Sequence, residues 1–351
     1  MSRSFLSRRC TVSVAGLALT IALAPTAAAQ NPVARQMQAQ SDAAQTLLGP
    51  DAMRVFVCGS ASPLGADAKR EQACIAVIAG GRLFLVDVGA GANTNLQLGG
   101  LPMAGLHTVF LTHFHSDHIA SIPDVNLSSW VGGRPRPLVV AGPEGVETVV
   151  EGLNLAYGPD RSYRIAHHGK ELLPPELGTM MARTIEPGVV LDEEGVRVTA
   201  FAVDHAPVDP ALGYRFDYGG RSVVVSGDTI RTQSLIEASK GADLLLHDVM
   251  AQDVVQMLQS ARDQSGDERL SKLLTDVQTY HASTTAVAAL AKEAGVRQLV
   301  LYHLVPAMPN PMLNGRFLQG MPEGTVLAAD GMLFELPTNS DEIQLRQLVQ
   351  R

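Results

Sequence analysis

The sequence predicts an α/β domain built in layers, with sheets covered by helices, and three observations predict it. From Met53 onward, short apolar runs alternate with longer stretches of helical periodicity, the pattern of sheets with helices on their faces. Glycine turns join neighbouring runs into hairpins, as over residues 215–225 around Gly219-Gly220. Apolar residues make up 46% of the 351-residue chain and charged residues 18%, ample for a buried core and too apolar for a disordered chain.

Residues 1–29 stand apart from this pattern. Arg3, Arg8 and Arg9 form a basic start, residues 11–24 an apolar run ended by Pro25, and Ala27-Ala28-Ala29 a small-residue cleavage site. Those three parts make a secretory leader, and a 14-residue run falls short of the roughly 20 that a spanning helix needs. The expected product is periplasmic or secreted, cut after Ala29, with no stable membrane anchor. Residues 30–50, rich in Gln and Ala, read as a flexible lead or a loosely docked helix.

Strands are expected over 53–58, 74–79, 82–87, 108–112, 137–141, 196–203, 213–217, 222–226, 243–247 and 298–303. Helices are expected over 144–155, 231–239, 250–260 and 283–294. The last has Ser283-Thr284 to cap its start and Gly295 to stop it. Pro159, Pro174, Pro175 and Pro187 mark residues 158–190 as an irregular insertion near the mouth of a site. Residues 51–337 then form one domain, followed by a C-terminal tail over 338–351.

Loss of residues 1–29 removes three arginines and no acid, leaving 24 basic against 35 acidic groups, a net charge of −11. That surface repels polyanions at long range and excludes large nucleic acids as partners. Cys10 departs with the leader, and Cys58 and Cys74 remain at the facing ends of successive strand runs. In an oxidising compartment the two are expected to form a disulfide, worth about 3 kcal/mol for a loop of that length.

The strongest chemical signal is His113-Phe114-His115-Ser116-Asp117-His118, directly after an apolar strand; three of ten histidines fall within six residues. His113 and His115, two apart, can converge on one ion while Asp117 and His118 turn to a second. Imidazole nitrogen with carboxylate oxygen suits zinc, iron or manganese better than calcium. His205, Asp228 and His303 each follow an apolar strand run in the same way, so one rim of the sheets collects every candidate ligand. Gly89-Ala90-Gly91 lacks the Lys-Ser/Thr signature of a phosphate-binding loop, which removes nucleotide binding of that kind.

With these motifs the sequence resembles the metallo-β-lactamase superfamily and, within it, the ribonuclease Z and arylsulfatase-like branch. The resemblance runs from about Arg54 to Leu336. It covers Asp87-Val88-Gly89, the His113–His118 motif, Gly142-Pro143-Glu144-Gly145 and His205 followed by Leu212-Gly213-Tyr214-Arg215. It continues through Gly227-Asp228-Thr229, His281-Ala282-Ser283-Thr284 and His303. The fold it implies is a four-layer αββα sandwich with metals at one sheet edge. The ligands it implies are His113, His115 and His205 for a first metal, Asp117, His118 and His303 for a second, and Asp228 bridging both. Asp87 matches a supporting position and not a ligand.

The resemblance implies a hydrolase with two divalent ions, zinc before manganese or iron, and the leader makes it an exported one. Such a pair can hold a hydroxide at neutral pH. His281 would assist the leaving group, oriented by Asp248 where the ribonuclease Z pattern has the longer glutamate, and Asp117 is also placed among the catalytic groups. The expected substrate is a small phosphodiester or sulfate ester, with a second copy of the chain kept open as a partner. Hydrolysis of a lactone or amide, β-lactams included, is the alternative, and sulfur oxidation at one iron a weaker one. Trp130 and His168 are candidate substrate contacts.

Overall fold

Strands with apolar side chains on both faces must be covered on both faces, and that requirement generates the layering. The computed structural model describes residues 32–350. The chain divides into two units, residues 1–42 and 43–351, and an α-helix covers Pro32–Leu47. The leader expected over 1–29 lies outside the described residues. No helix among the described residues is long and apolar enough to cross a membrane.

In the second unit the strands are β1 (Ala52–Gly59), β2 (Cys74–Ala79), β3 (Arg82–Val86), β4 (Leu106–Phe110), β5 (Val139–Gly142) and β6 (Met181–Thr184). They continue as β7 (Gly188–Glu193), β8 (Val196–His205), β9 (Val208–Tyr218), β10 (Arg221–Val225) and β11 (Leu244–Met250). The last are β12 (Gln298–Val305), β13 (Val326–Leu327), β14 (Met332–Pro337) and β15 (Gln344–Gln347). One sheet has the order β15-β14-β1-β2-β3-β4-β5-β6 and the other β13-β12-β11-β10-β9-β8-β7.

Alternate residues of each strand serve different layers. Met53, Val55 and Val57 of β1 meet Phe216, Val223 and Val225 of the other sheet in the core between the sheets. Phe56 and Cys58 of the same strand pack outward with Leu96, Ile122 and Val125, from the helices Ala92–Leu98 and Ile122–Val131. The second sheet repeats the arrangement: Val224 and Leu245 pack against Leu235, Val287 and Leu290 of helices Gln233–Ser239 and Thr284–Ala294. The result is the αββα sandwich. Phe110 on β4 and Tyr214 on β9 bring their rings to 5.2 Å, joining the sheets near the end of β4.

Two expectations about organisation are corrected. Residues 158–190 are not an irregular insertion: they hold a helix over Gly158–His168, a helical turn over Pro175–Gly178, and β6 paired with β5. Pro159 and Pro175 stand in first helical turns, where a missing N–H and a fixed φ are no handicap, so the prolines signalled starts rather than breaks. Within the lead, of the two readings offered, Pro32–Leu47 takes the helical one, and its Leu47 is buried under the first sheet. The tail is part of the domain, because β15 pairs antiparallel with β14 and Val349 is buried beyond it. An exposed edge strand needs no apolar pattern, since backbone pairing and polar contacts such as Arg346–Glu335 hold it.

Cys58 and Cys74 are joined, with Cα atoms 5.0 Å apart, closing the loop between β1 and β2. Replacing both by serine is expected to lower unfolding stability by about 3 kcal/mol, read from urea denaturation of the oxidised parent and the variant.

Candidate metal centre

The chemically reactive side chains leave the fold at the C-terminal ends of strands. Strands β3 and β4 are parallel, as are β10, β11 and β12, and β8 shares their direction through antiparallel β9. Asp87 follows β3, His113–His118 follow β4, His205 ends β8, Asp228 follows β10, and Asp248 and His303 lie late in β11 and β12. One edge therefore receives them all.

Local backbone features aim them. His115 caps the helical turn Ser116–Ile119, which carries Asp117 and His118. Gly89 lets that turn close in, for a Cβ there would meet the Asp117 carbonyl at 2.1 Å. Gly227, at φ +65°, turns the chain after β10 so that Asp228 points inward. The expected strand end at His303 is a bulge instead. Asp248 pairs with Tyr302 and Val249 with Leu304, so His303 is the extra residue, held at φ 46°. A bulge re-aims one side chain without ending the strand.

Asp228 sits at the centre. Its Oδ2 lies 3.3 Å from His118 Nε2, 3.4 Å from His303 Nε2, 3.9 Å from His205 Nε2 and 4.0 Å from His113 Nε2. His113 Nε2 and His115 Nδ1 are 2.9 Å apart, and His115 Nδ1 and His205 Nε2 3.4 Å. On the other side His303 Nε2 is 3.1 Å and His118 Nε2 3.3 Å from Asp117 Oδ2. The ligand atoms of His113, His115 and His205 lie within 4.8 Å of one another, as do those of His113, His118 and Asp228 and those of Asp117, His118 and His303.

These residues fit divalent metal. His118 Nε2 and Asp228 Oδ1 are buried without a hydrogen-bond partner among the described residues. A cation close to both supplies what hydrogen bonds do not. The far sides of the rings are already engaged. Asp87 Oδ2 accepts from His118 Nδ1 at 2.8 Å and from the Thr112 hydroxyl at 2.8 Å, and that hydroxyl lies 3.0 Å from His113 Nδ1. His205 Nδ1 donates to the Tyr280 carbonyl at 3.0 Å. Such contacts set the tautomer that leaves Nε2 free for an ion. Tyr280 and Thr112 escaped the sequence reading, and their only signal was adjacency to His281 and His113.

The electrostatics divide the rings into two groups. Burial holds His113 well below the ordinary imidazole range, and burial likewise lowers His115 and His205. Burial opposes charge on His118 and His303 as well, but Asp228 outweighs it, with Asp87 helping at His118 and Asp117 at His303; both are raised. Against burial, which would raise them, Asp117 is held below the carboxylate range by the His118 and His303 rings close to its Oδ2, and Asp228 by the charges of His303 and His118.

His281 lies beside this cluster, its ring stacked on His303 at 5.5 Å, and its Nδ1 donates to Asp248 Oδ2 at 3.0 Å. The shorter aspartate thus reaches. Trp130 and His168 are not at the site. Trp130 is buried against Gly178 and donates from Nε1 to the Pro174 carbonyl at 3.0 Å, a packing role for the lone tryptophan. His168 is exposed in the last turn of helix Gly158–His168. Neither lines the cavity over the ligands.

Residues 82–304 match the beta-lactamase superfamily domain. Ribonuclease Z of Mycobacterium bovis is 38% identical over 259 residues, 73% of this chain and 87% of the relative, and that of Mycobacterium marinum is also 38% identical, over 88% of its length. The chain belongs to the metallo-β-lactamase superfamily, in its ribonuclease Z branch. A metallo-β-lactamase-fold protein of Bacillus subtilis matches with a TM-score of 0.58 at 23% identity, over 81% of this chain and 99% of that one. Short-form human tRNase Z matches with 0.53 at 20%, over 81% and 99%. Both show the shared fold. Membership makes the chain a metal-dependent hydrolase of ester bonds.

Two outcomes are expected of this metallo-β-lactamase-fold site. Asp87→Asn keeps the fold but weakens zinc affinity by about 10- to 100-fold in a chelator competition, because a neutral amide with one acceptor oxygen replaces the carboxylate that orients His118. Because His118 and His303 are raised and must be neutral to ligate, metal uptake releases protons and affinity falls as pH falls. Calorimetry in buffers of different ionisation enthalpy reads that release directly.

Proposed function

We propose that the chain is an exported hydrolase of small phosphodiesters or sulfate esters that works with two divalent ions, zinc before manganese or iron. The carrying observation is Asp228 Oδ2, within 4.0 Å of four imidazole nitrogens drawn from both proposed ligand sets. His113, His115 and His205 would hold one ion, Asp117, His118 and His303 the other, with Asp228 shared. The complete second set favours this reading over a one-iron enzyme.

Bound there, the ions supply a water activated at neutral pH and neutralise charge on the ester oxygens. The protein's own part is orientation and proton delivery. Asp248, itself 3.0 Å from His247 Nδ1, fixes the His281 ring through Nδ1 and leaves Nε2 as its free nitrogen beside the cavity. His281 is therefore the group placed to hand a proton to the departing oxygen. Similarity to the ribonuclease Z relatives supports attack at phosphorus, and a sulfate ester presents a tetrahedral centre with the same single negative charge. The charge of −11 left after removal of residues 1–29 supports a small substrate over RNA.

His281→Ala is expected to lower turnover of bis-p-nitrophenyl phosphate by about 10²- to 10⁴-fold with metal content unchanged. Loss of metal in that variant would move His281 into the ligand set. Run in parallel, an aryl sulfate and nitrocefin assign the centre attacked, and turnover of nitrocefin alone would refute the ester reading.

A further inference from the structure

The cavity above the ligand cluster has a volume of about 340 Å³ and is built from two chemically distinct parts. Its floor is the polar site itself, from His115 and Asp117 to Asp228, His281 and His303. Its walls are apolar. Pro63 and Leu64 come from the disulfide-closed loop, and Leu273, Val277 and Tyr280 from helix Glu268–Val277 and the turn after it. None of the described residues lining the cavity is a lysine or arginine. A site built for a polyanion needs cations along its walls, because counterion release carries that kind of binding.

Both walls are held in place before any ligand arrives. The Leu64 carbonyl accepts from the Ala307 amide at 2.9 Å, and the Ser62 hydroxyl donates to the Leu304 carbonyl at 2.7 Å, next to His303. Opposite, Val277 is buried while Leu273, on the same helix, stays 45% exposed at the rim. An apolar side chain left half in water beside a reactive centre gains free energy when a ligand covers it. The nearby cations face elsewhere. Arg269 and Lys272 line an adjoining groove beyond Leu273 and Tyr280, where Lys272 is paired with Asp276.

We infer that Leu64, Leu273, Val277 and Tyr280 form a specificity wall for an uncharged apolar group, aryl or branched alkyl, esterified to the scissile phosphate or sulfate. This rests on the ester-hydrolase reading above and narrows its substrate class: the metal cluster takes the anionic head, and the wall takes the apolar remainder.

The test is calorimetric binding of three phosphonates to the metal-loaded protein. Phenylphosphonate is expected to bind about tenfold tighter than methylphosphonate, the worth of partly burying one ring. Phosphonoacetate, with a second anion in place of the ring, should gain nothing over methylphosphonate. In Leu273→Asp and, separately, Leu64→Asn the phenyl-to-methyl ratio should fall toward one. Equal binding of phenyl and methyl ligands by the parent would overturn the apolar wall and leave ester hydrolysis standing. Tightest binding of phosphonoacetate would also overturn it, since a second anion would then outweigh the ring. If no phosphonate binds while metal is retained, the ester reading fails and this inference with it.

Discussion

Burying a carboxylate among imidazoles is the constraint on which this structure turns. Asp228 is almost completely buried, with four ring nitrogens around one oxygen and, among the described residues, no hydrogen-bond partner for the other. An ionised carboxylate out of water is costly unless positive charge stands close to it. Metal ions meet that need, and so do protonated His118 and His303, whose raised affinity for protons is the same electrostatic fact seen from the other side. The neighbourhood is therefore tuned for cations whether they arrive as protons or as metals.

Neither sheet can build this arrangement alone. His113 to His118 come from the first sheet, and His205, Asp228 and His303 from the second. The sheets are stitched at that edge by backbone as well as by packing: the Leu212 amide donates to the Thr112 carbonyl at 2.9 Å, and the Tyr214 hydroxyl to the Leu111 carbonyl at 2.6 Å. Tyr214 thus ties the strand carrying the Gly213-Tyr214-Arg215 motif to the residues just before His113. Strain gathers there too. Asp87 and His303 both hold positive φ without being glycine, at 58° and 46°. Such backbone persists where surrounding contacts over-determine it, and here it turns two side chains toward the centre.

Around the polar floor the protein sets apolar walls, and the two meet different parts of an ester. Tyr280 belongs to both: its carbonyl orients His205, and its side chain lines the cavity beside His281. Shape selection and ligand geometry are therefore coupled through one residue.

The layered fold and the metal cluster were legible in the sequence for one reason. Short apolar runs that each end in a histidine or aspartate must, if they are strands, deliver those side chains to strand ends, and parallel neighbours deliver them to one edge. The His113–His118 motif, His205 and Asp228 followed that rule, and His303 reaches the same edge from a bulge late in β12. Features that depend on partners distant in the chain were not legible. Trp130 between serines and glycines looked like a pocket residue, but Gly178 and Pro174 bury it elsewhere. The polar run of β15 carries no apolar signal because backbone pairing, the Arg346–Glu335 ion pair and the Gln347 side chain hold it. Tyr280 lines the cavity only because helix Glu268–Val277 lies over the sheet edge. What the sequence by itself determined is which atoms can bind a cation; tertiary structure decided which of them share one, since convergence depends on two sheets packing face to face.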